Sequence, residues 1–485
     1  MKFQNILHMK LKTGIIILFF SFLITIQLSA QDKVWTLEEC IYYAPENNID
    51  VKKQSLSINY QEEVLLQSKL GILPNVNGFV SHGYNWGQRV DPFTNEFATD
   101  RVRSNNMYLS ADVNLFSGLQ QLNTIKRNRL NLLASQYDVD YYRDEISITV
   151  AMQYLQTLFF LEVVEIARNQ LDITNQQVDR TSKLVAAGTL AKGDLLIIEA
   201  QQASEEYSII TAENDLKLSY LTLAQLLELD TPEGFVIEKP ELGLIDQPDF
   251  LTPDQIYTTA LSNRPEIKSA EYRVESSESD LSIARGRYYP RLTLNGSWGS
   301  GYSGANQVGA NPFTYSPQIG VTENNLAVYP VEPLTGYQSF STKTFGDQFE
   351  DNLNTTAALN LSIPIFNGWV ARSNVAQAKI SIENANLDLE LQKNNLNKTI
   401  QQAYNDALAA SNQHRAAEKK VNATSESFKY AEQKFNVGLI NSVEYNDAKK
   451  EYNNALSQLI QAKYDFVFRN TIIDFYLGKP LTLDR

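Results

Sequence analysis

The sequence predicts a mixed α and β membrane protein built as a tandem structural repeat, in which a few strands alternate with very long helices. Three observations carry that prediction. The chain matches itself at two fixed offsets; two segments alternate apolar and polar residues over the length of a bilayer strand; two stretches of 69 residues each lack proline and show heptad spacing.

Aligning Pro74 with Pro290, an offset of 216, also pairs Glu46–Val51 with Ser262–Ile267, and Ser81-His82-Gly83 with Ser297-Trp298-Gly299. Further on the offset is 250. Leu115-Phe116-Ser117-Gly118 then falls on Ile365-Phe366-Asn367-Gly368, Tyr154 on Tyr404, Gly188 on Gly438 and Leu227 on Leu477. The difference, 250 − 216 = 34, is an insertion in the second copy, and it lies between Gly299 and Ile365, where Gly, Asn, Pro, Tyr and Ser dominate. Each copy reads as a helical stretch (37–71, 253–287) stopped by a proline, then a strand, a loop, a second strand and two long helices broken by Gly188 or Gly438. The resulting organisation is a signal peptide over 1–30 and a first repeat over 31–230, with a β-hairpin at about 74–116 and long helices 119–187 and 189–228. A linker at 231–252 leads to a second repeat over 253–478, with a hairpin at about 290–366, long helices 369–437 and 439–477, and a tail at 479–485.

From Met107 to Leu115 the odd positions are Met, Leu, Ala, Val and Leu, while the even positions carry polar residues and one tyrosine. Leu353 to Ile365 alternates in the same sense. A barrel strand with lipid outside and water inside needs this period of two over about 10 residues. Aromatics gather at the strand ends as two girdles: Phe116, Tyr288, Tyr289, Phe366 and Trp369 at one level, Tyr84, Trp86, Trp298 and Tyr302 at the other. A soluble sandwich shows the same alternation, so the helices decide. Residues 119–187 and 369–437 would each extend about 100 Å at ~1.5 Å per residue, far beyond a globular helix. Ala167, Thr174 and Thr181 interleave with Leu171, Val178 and Val185, and Ala417, Thr424 and Ala431 with Val421, Phe428 and Phe435, a coiled-coil seam. A soluble coiled-coil rod would carry the seam without the strands.

Lys2, Lys10 and Lys12 precede an apolar run from Gly14 to Leu28 that ends in Ser29-Ala30, the layout of a signal peptide. An N-terminal anchor is the alternative, but about 15 residues fall short of the ~20 a helix needs to span a bilayer. Of 42 Lys plus Arg and 56 Asp plus Glu, cleavage removes three lysines, leaving 39 − 56 = −17, which disfavours nucleic acid as a partner. One cysteine, Cys40, excludes an internal disulfide, and its place at a helix start makes it a small packed residue. Three histidines offer little for a metal or other cofactor, and none is expected. Ser81 beside His82 raises a hydrolase, but the second copy has Trp298 there. His414 takes the place of Val164 on the seam.

Together these residues resemble the TolC family of outer-membrane efflux ducts. The most specific pieces are the tips Ala187–Leu195 and Val437–Tyr445 and the joints Phe116-Ser117-Gly118 and Phe366-Asn367-Gly368, four matches at constant offset. The resemblance implies a homotrimer in which four strands per chain make a 12-stranded transmembrane β-barrel, continued by a periplasmic α-helical coiled-coil tunnel. Four strands alone cannot close a barrel, and open edges cannot sit in lipid. It implies passive export through the outer membrane, with a periplasmic adaptor (membrane fusion) protein and an inner-membrane pump as partners. A structural or adhesive coiled-coil protein without transport is the alternative, and an enzyme is not expected. The chain lacks a cysteine for lipid attachment at its presumed cleavage point, and residues 300–350 form a long outer loop.

Two groups of residues follow. Gly188, Thr189 and Leu190, with Gly438, Leu439 and Ile440, stand where one long helix reverses into the next, and are expected to dock the adaptor. Glu444 and Asp447, spaced i, i+3, share a helix face, Asp194 is the first-copy counterpart of Glu444, and Ile197 replaces the second acid. Three copies would gather these carboxylates into an aperture ring, with Arg180 and Lys183 as candidate salt-bridge partners that hold it closed.

Overall fold

The computed structural model describes residues 33–98, 101–229, 234–240 and 251–482, so the expected signal peptide and parts of the expected linker and tail lie outside it. In chain order the elements are β1 (Val34–Trp35), α1 (Leu37–Asn47), α2 (Ile49–Leu70), β2 (Asn75–Asn85), β3 (Arg89–Val90), β4 (Phe97–Ala98), β5 (Val102–Ser117), α3 (Gln120–Ala186), α4 (Lys192–Leu226) and β6 (Val236–Ile237). They continue with α5 (Pro253–Asn263), α6 (Pro265–Gly286), β7 (Arg291–Ser303), β8 (Gln307–Tyr315), β9 (Gly320–Val321), β10 (Ala327–Val328), β11 (Leu334–Thr342), α7 (Phe345–Asp351), β12 (Asn354–Ser362), α8 (Val370–Asn436) and α9 (Ser442–Tyr476). Each helical stretch expected at 37–71 and 253–287 is two helices instead of one. Pro265 holds Arg264 at ψ 129°, outside the helical region. Asn48 takes ψ 131°, and its Oδ1 accepts from the N–H groups of Asp50 (2.9 Å) and Val51 (3.2 Å), capping the new helix.

Two compact units result, and one of them, residues 60–133 with 272–387, holds the principal sheet. Its strand order is β12-β7-β5-β2, antiparallel throughout, and among the described residues β12 and β2 are each paired on one side only. The register sorts the side chains. Val76, Gly78 and Val80 pair with Ala111, Leu109 and Met107; Leu109 pairs with Trp298; Leu294 pairs with Leu359, all on one face. The other face carries Asn75 with Asp112, Asn77 with Ser110, Ser110 with Ser297, and Thr293 with Asn360. Hydroxyls and amides bond across it: Ser297 Oγ to Thr356 Oγ1 at 2.6 Å, and Asn360 Nδ2 to Asn295 Oδ1 at 2.8 Å. Ser81 and His82 are consecutive on β2 and so occupy opposite faces, which separates the pair a hydrolase would need. The long outer loop expected at 300–350 contains a β-hairpin of its own, β8 with β11.

The second unit contains the remaining helical segments and two hydrophobic cores. Leu37, Cys40, Ala44, Val150, Tyr154, Leu223 and Leu227 meet in the first. Ile256, Ala260, Ile400 and Ile473 meet in the second, with Tyr404 and Leu477 packed against it. Cys40 and Ile256, and Ala44 and Ala260, differ by 216; Val150 and Ile400, and Tyr154 and Tyr404, differ by 250. Cys40 is fully buried, and burial first, then the charge of Glu39, pushes its thiol up to about 12, so it packs and does not react. The Tyr154 hydroxyl donates to the Trp35 and Glu238 carbonyls (3.1 and 2.8 Å), fastening the small β1–β6 sheet to the first core. One window of α3 is long and apolar enough to cross a membrane by composition, although the sequence shows no uninterrupted apolar run of that length outside the N-terminus. Val150, Ala151, Tyr154, Leu155 and Leu158 of the same helix belong to this core.

Candidate functional site

The reversals between long helices are fixed by backbone chemistry. Gly188 and Gly438 have φ of 75° and 77°, in the left-handed region. The N–H of Thr189 donates to the Leu184 carbonyl at 3.0 Å and that of Leu439 to the Lys434 carbonyl at 2.9 Å, while the glycine N–H groups reach Val185 and Phe435, the double bond of a Schellman turn. Thr189 and Leu439 are exposed, Leu439 at 74%. Leu190 and Ile440 are half-buried and so pack the hairpins, whereas Val437 and Val443 join Leu439 at the surface.

The two tips lie together, lining one hollow with Arg180, Leu190, Asp194, Phe435, Leu439 and Glu444. Ser442 Oγ donates to Asp194 Oδ1 at 3.3 Å, joining one hairpin to the other. Asn441 caps α9, its Oδ1 accepting from the N–H of Val443 (3.0 Å) and Glu444 (2.9 Å), and its amide donates to Glu444 Oε1 at 3.3 Å. Ser442, Tyr445 and Lys449 of α9 are buried, which turns Glu444 and Asp447 outward together. The two candidate cations do not close on these acids within the chain. Lys183 pairs with Asp179 on its own helix at 2.6 Å, and Arg180 holds the side chain and carbonyl of Asn436. An Asp179 carboxylate one helical turn away competes successfully for Lys183, and a neutral tip partner serves Arg180.

Behind the tips lies a buried polar cluster that the sequence did not single out. Lys449 Nζ donates to the Gln170 carbonyl (3.1 Å), to Glu205 Oε1 (3.0 Å) and to the Thr174 hydroxyl, bringing α9 onto α3 and α4. Glu205 also accepts from Thr174 Oγ1 and from Gln201 Nε2 (2.9 Å). Burial lowers the Lys449 pKa from its ordinary value, opposed by the hydrogen bond and charge of Glu205. Above it Tyr445 stacks on Phe435 at 4.8 Å, and burial, then Glu432, raises its hydroxyl to about 12. Lys449 follows Ser442 by seven residues and Tyr445 by four, a spacing that puts all three on one helix face and was the available signal. His414 stacks on Phe466 at 6.0 Å, and burial lowers its pKa, as befits a packed ring on the seam. The named seam residues 167, 171, 174, 178, 181 and 185, with 417, 421, 424, 428, 431 and 435, are all buried or half-buried.

Paired helical hairpins with glycine-turned tips, carried by a chain that also forms a two-faced antiparallel sheet, define a protein of the outer-membrane channel class. The chain belongs to the outer membrane efflux protein family, whose profile matches residues 40–228 and 256–479. It is 22% identical over 440 residues to the outer membrane protein TolC of Vibrio cholerae, covering 90% of this chain and 89% of that one. Among solved structures, CusC matches with a TM-score of 0.72 at 16% identity over 92% of both chains. The outer membrane protein VceC of Vibrio cholerae matches with 0.65 at 16% identity, over 92% of this chain and 96% of that one.

Proposed function

We propose that the chain is one subunit of an outer-membrane duct for passive export, working with a periplasmic adaptor and an inner-membrane pump. The observation that carries this reading is the sheet: one apolar face, one polar face, and open edges at β12 and β2. Three copies joined edge to edge give 3 × 4 = 12 strands, with the apolar face toward lipid and the polar face toward a water-filled lumen. Residues 31–230 and 253–478 then act as two repeats of one plan, with the helices extending into the periplasm.

In this duct Glu444, Asp447 and Asp194 form the aperture, and focused carboxylates in a narrow mouth concentrate cations. The outward turn of Glu444 and Asp447 supports the assignment; the cap bond from Asn441 to Glu444 supports a plainer role at the helix end. Recordings in planar bilayers test both levels. The trimer is expected to conduct with cation selectivity, and Glu444→Gln with Asp447→Asn is expected to weaken that selectivity and the block by multivalent cations. A trimer that never conducts would remove the duct, and unchanged selectivity in the double variant would leave the acids to the helix end alone.

The adaptor is proposed to dock on the tips, where Leu439, Val437 and Val443 expose apolar surface. Nothing lies within 4 Å of a Cβ built on Gly438, so the first carbon of the side chain in Gly438→Phe is unobstructed, and the left-handed backbone adds strain of about 1–2 kcal/mol. A folded trimer that no longer complements export is the expected result, and full complementation would remove the docking assignment.

A further inference from the structure

On the polar face of the sheet, toward its loop end, lies an aromatic hollow. Phe79 of β2 and Tyr108 of β5 are direct cross-strand partners, with ring centroids 4.8 Å apart and planes at 33°. Both stay exposed, at 46% and 43%. The neighbouring strand leaves them space. Gly299 of β7 faces Tyr108, and a Cβ there would overlap the Tyr108 Cβ and the Met107 carbonyl. Two residues along, Gly301 lies under the ring of Phe93, which a Cβ would also overlap.

Phe93 comes from the loop between β3 and β4, and its place is built rather than accidental. The fully buried Asp91 accepts from the N–H groups of Phe93 (3.0 Å) and Thr94 (3.1 Å) and from the Ser303 hydroxyl (2.5 Å). Ser303 is held in turn by Gln348, which exchanges two bonds of 2.9 Å with its backbone. The loop is thereby pinned to β7 with its phenyl ring turned onto the face that holds Tyr108. Ser81, Asn106, Ser297, Asn352 and Asn354 add hydroxyls and amides to the lining, and no charged residue belongs to it.

We propose that this hollow is a binding subsite for an uncharged oligosaccharide passing through or entering the duct. A pyranose ring offers a face of C–H bonds, which the negative face of an aromatic ring attracts, and a rim of hydroxyls that must find donors and acceptors. Three rings edged by amides and hydroxyls supply both. A wholly apolar cargo would strip water from Asn106 and Asn354 without replacing it, and an anionic one would find no cation. The two glycines weaken β7 as a strand, and the ring space they open is the return. The assignment rests on the polar face lining the lumen, and threefold closure would set three such hollows around one passage.

Single-channel recording with maltohexaose, against polyethylene glycol of the same hydrodynamic radius, separates recognition from size. Maltohexaose is expected to interrupt the current at concentrations where the glycol does not. Phe79→Ala with Tyr108→Ala should weaken that block about tenfold, the equivalent of 1.4 kcal/mol. Tyr108→Phe, which keeps the ring and should fold as the parent does, should retain it, and Asn106→Leu, which keeps all three rings, should weaken it. Block no greater than that of the glycol, or equal block in the ring-free variant, would overturn the subsite while leaving a conducting duct. A trimer that does not conduct at all would instead bring down the duct and the subsite with it.

Discussion

Replacing Lys449 by methionine is expected to destabilise the helical unit by about 3–5 kcal/mol, because it strands the Glu205 carboxylate in the interior. The side chains of this pair are 2% and 10% exposed, so water cannot take over the lost bond. Lys449→Met combined with Glu205→Leu should recover most of the loss, since an apolar pair of similar volume carries no desolvation cost. Glu205→Gln should behave differently. It removes the charge that holds the proton on Lys449 and leaves a weaker, neutral acceptor in its place, so burial lowers the pKa further. An unfolded lysine keeps its proton to about 10.5, so between the folded pKa and that value the unfolded state binds more protons and stability rises with pH. The Glu205→Gln deficit should therefore shrink as pH climbs toward 10.5. Urea midpoints followed by helical circular dichroism would measure all three, and a parental midpoint for Lys449→Met would show the pair to be idle.

The second large effect is expected at Gly118, and its twin supplies the control. Gly118 and Gly368 close the same Phe-x-Gly motif and both have positive φ, 63° and 60°. Around Gly368 there is open space, so Gly368→Ala meets only left-handed strain of about 1–2 kcal/mol. At Gly118 a Cβ would overlap the Gly286 carbonyl oxygen and stand 2.9 Å from Tyr289 Cβ, where backbone blocks relief. Gly118→Ala should cost on the order of 4 kcal/mol and greatly reduce the yield of assembled protein. Equal yields of the two alanine variants would mean that the joint at Gly118 is not closely packed.

Why the twins differ was not legible in the sequence, which shows two copies of a motif and not the α6–β7 segment that presses on Gly118 and leaves Gly368 open. Local patterns fared better. The alternation from Met107 to Leu115 fixes which side chains share a face, and β5 follows it, because strand periodicity is a property of consecutive residues. The 69-residue proline-free stretches correspond to α3 and α8, each of 67 residues, for the same reason. The helix break at Asn48 was hidden, since asparagine inside a helical pattern is common and only its cap bonds reveal the turn. Lys449 was passed over because a lysine amid Asn, Asp and Glu reads as solvated, and only the approach of α3 and α4 shows otherwise. Nor does the sequence show the partners that Arg180 and Lys183 take within one chain, because Asn436 reaches Arg180 only through the folding of the second hairpin, and Asp179 is one of several acids within reach of Lys183.

An even number of strands in the sheet sets a rule of parity for assembly. With β2 and β12 running in opposite directions at its two edges, a copy placed beside another always presents an antiparallel seam, whatever the number of copies in the ring. A sheet of three or five strands would meet its neighbour in parallel at every junction and need different hydrogen bonds there. Evolution can thus lengthen the β7–β12 connection freely, as the β8–β11 hairpin shows, provided the addition stays outside the sheet. One extra strand laid on an edge would reverse the direction of every seam at once.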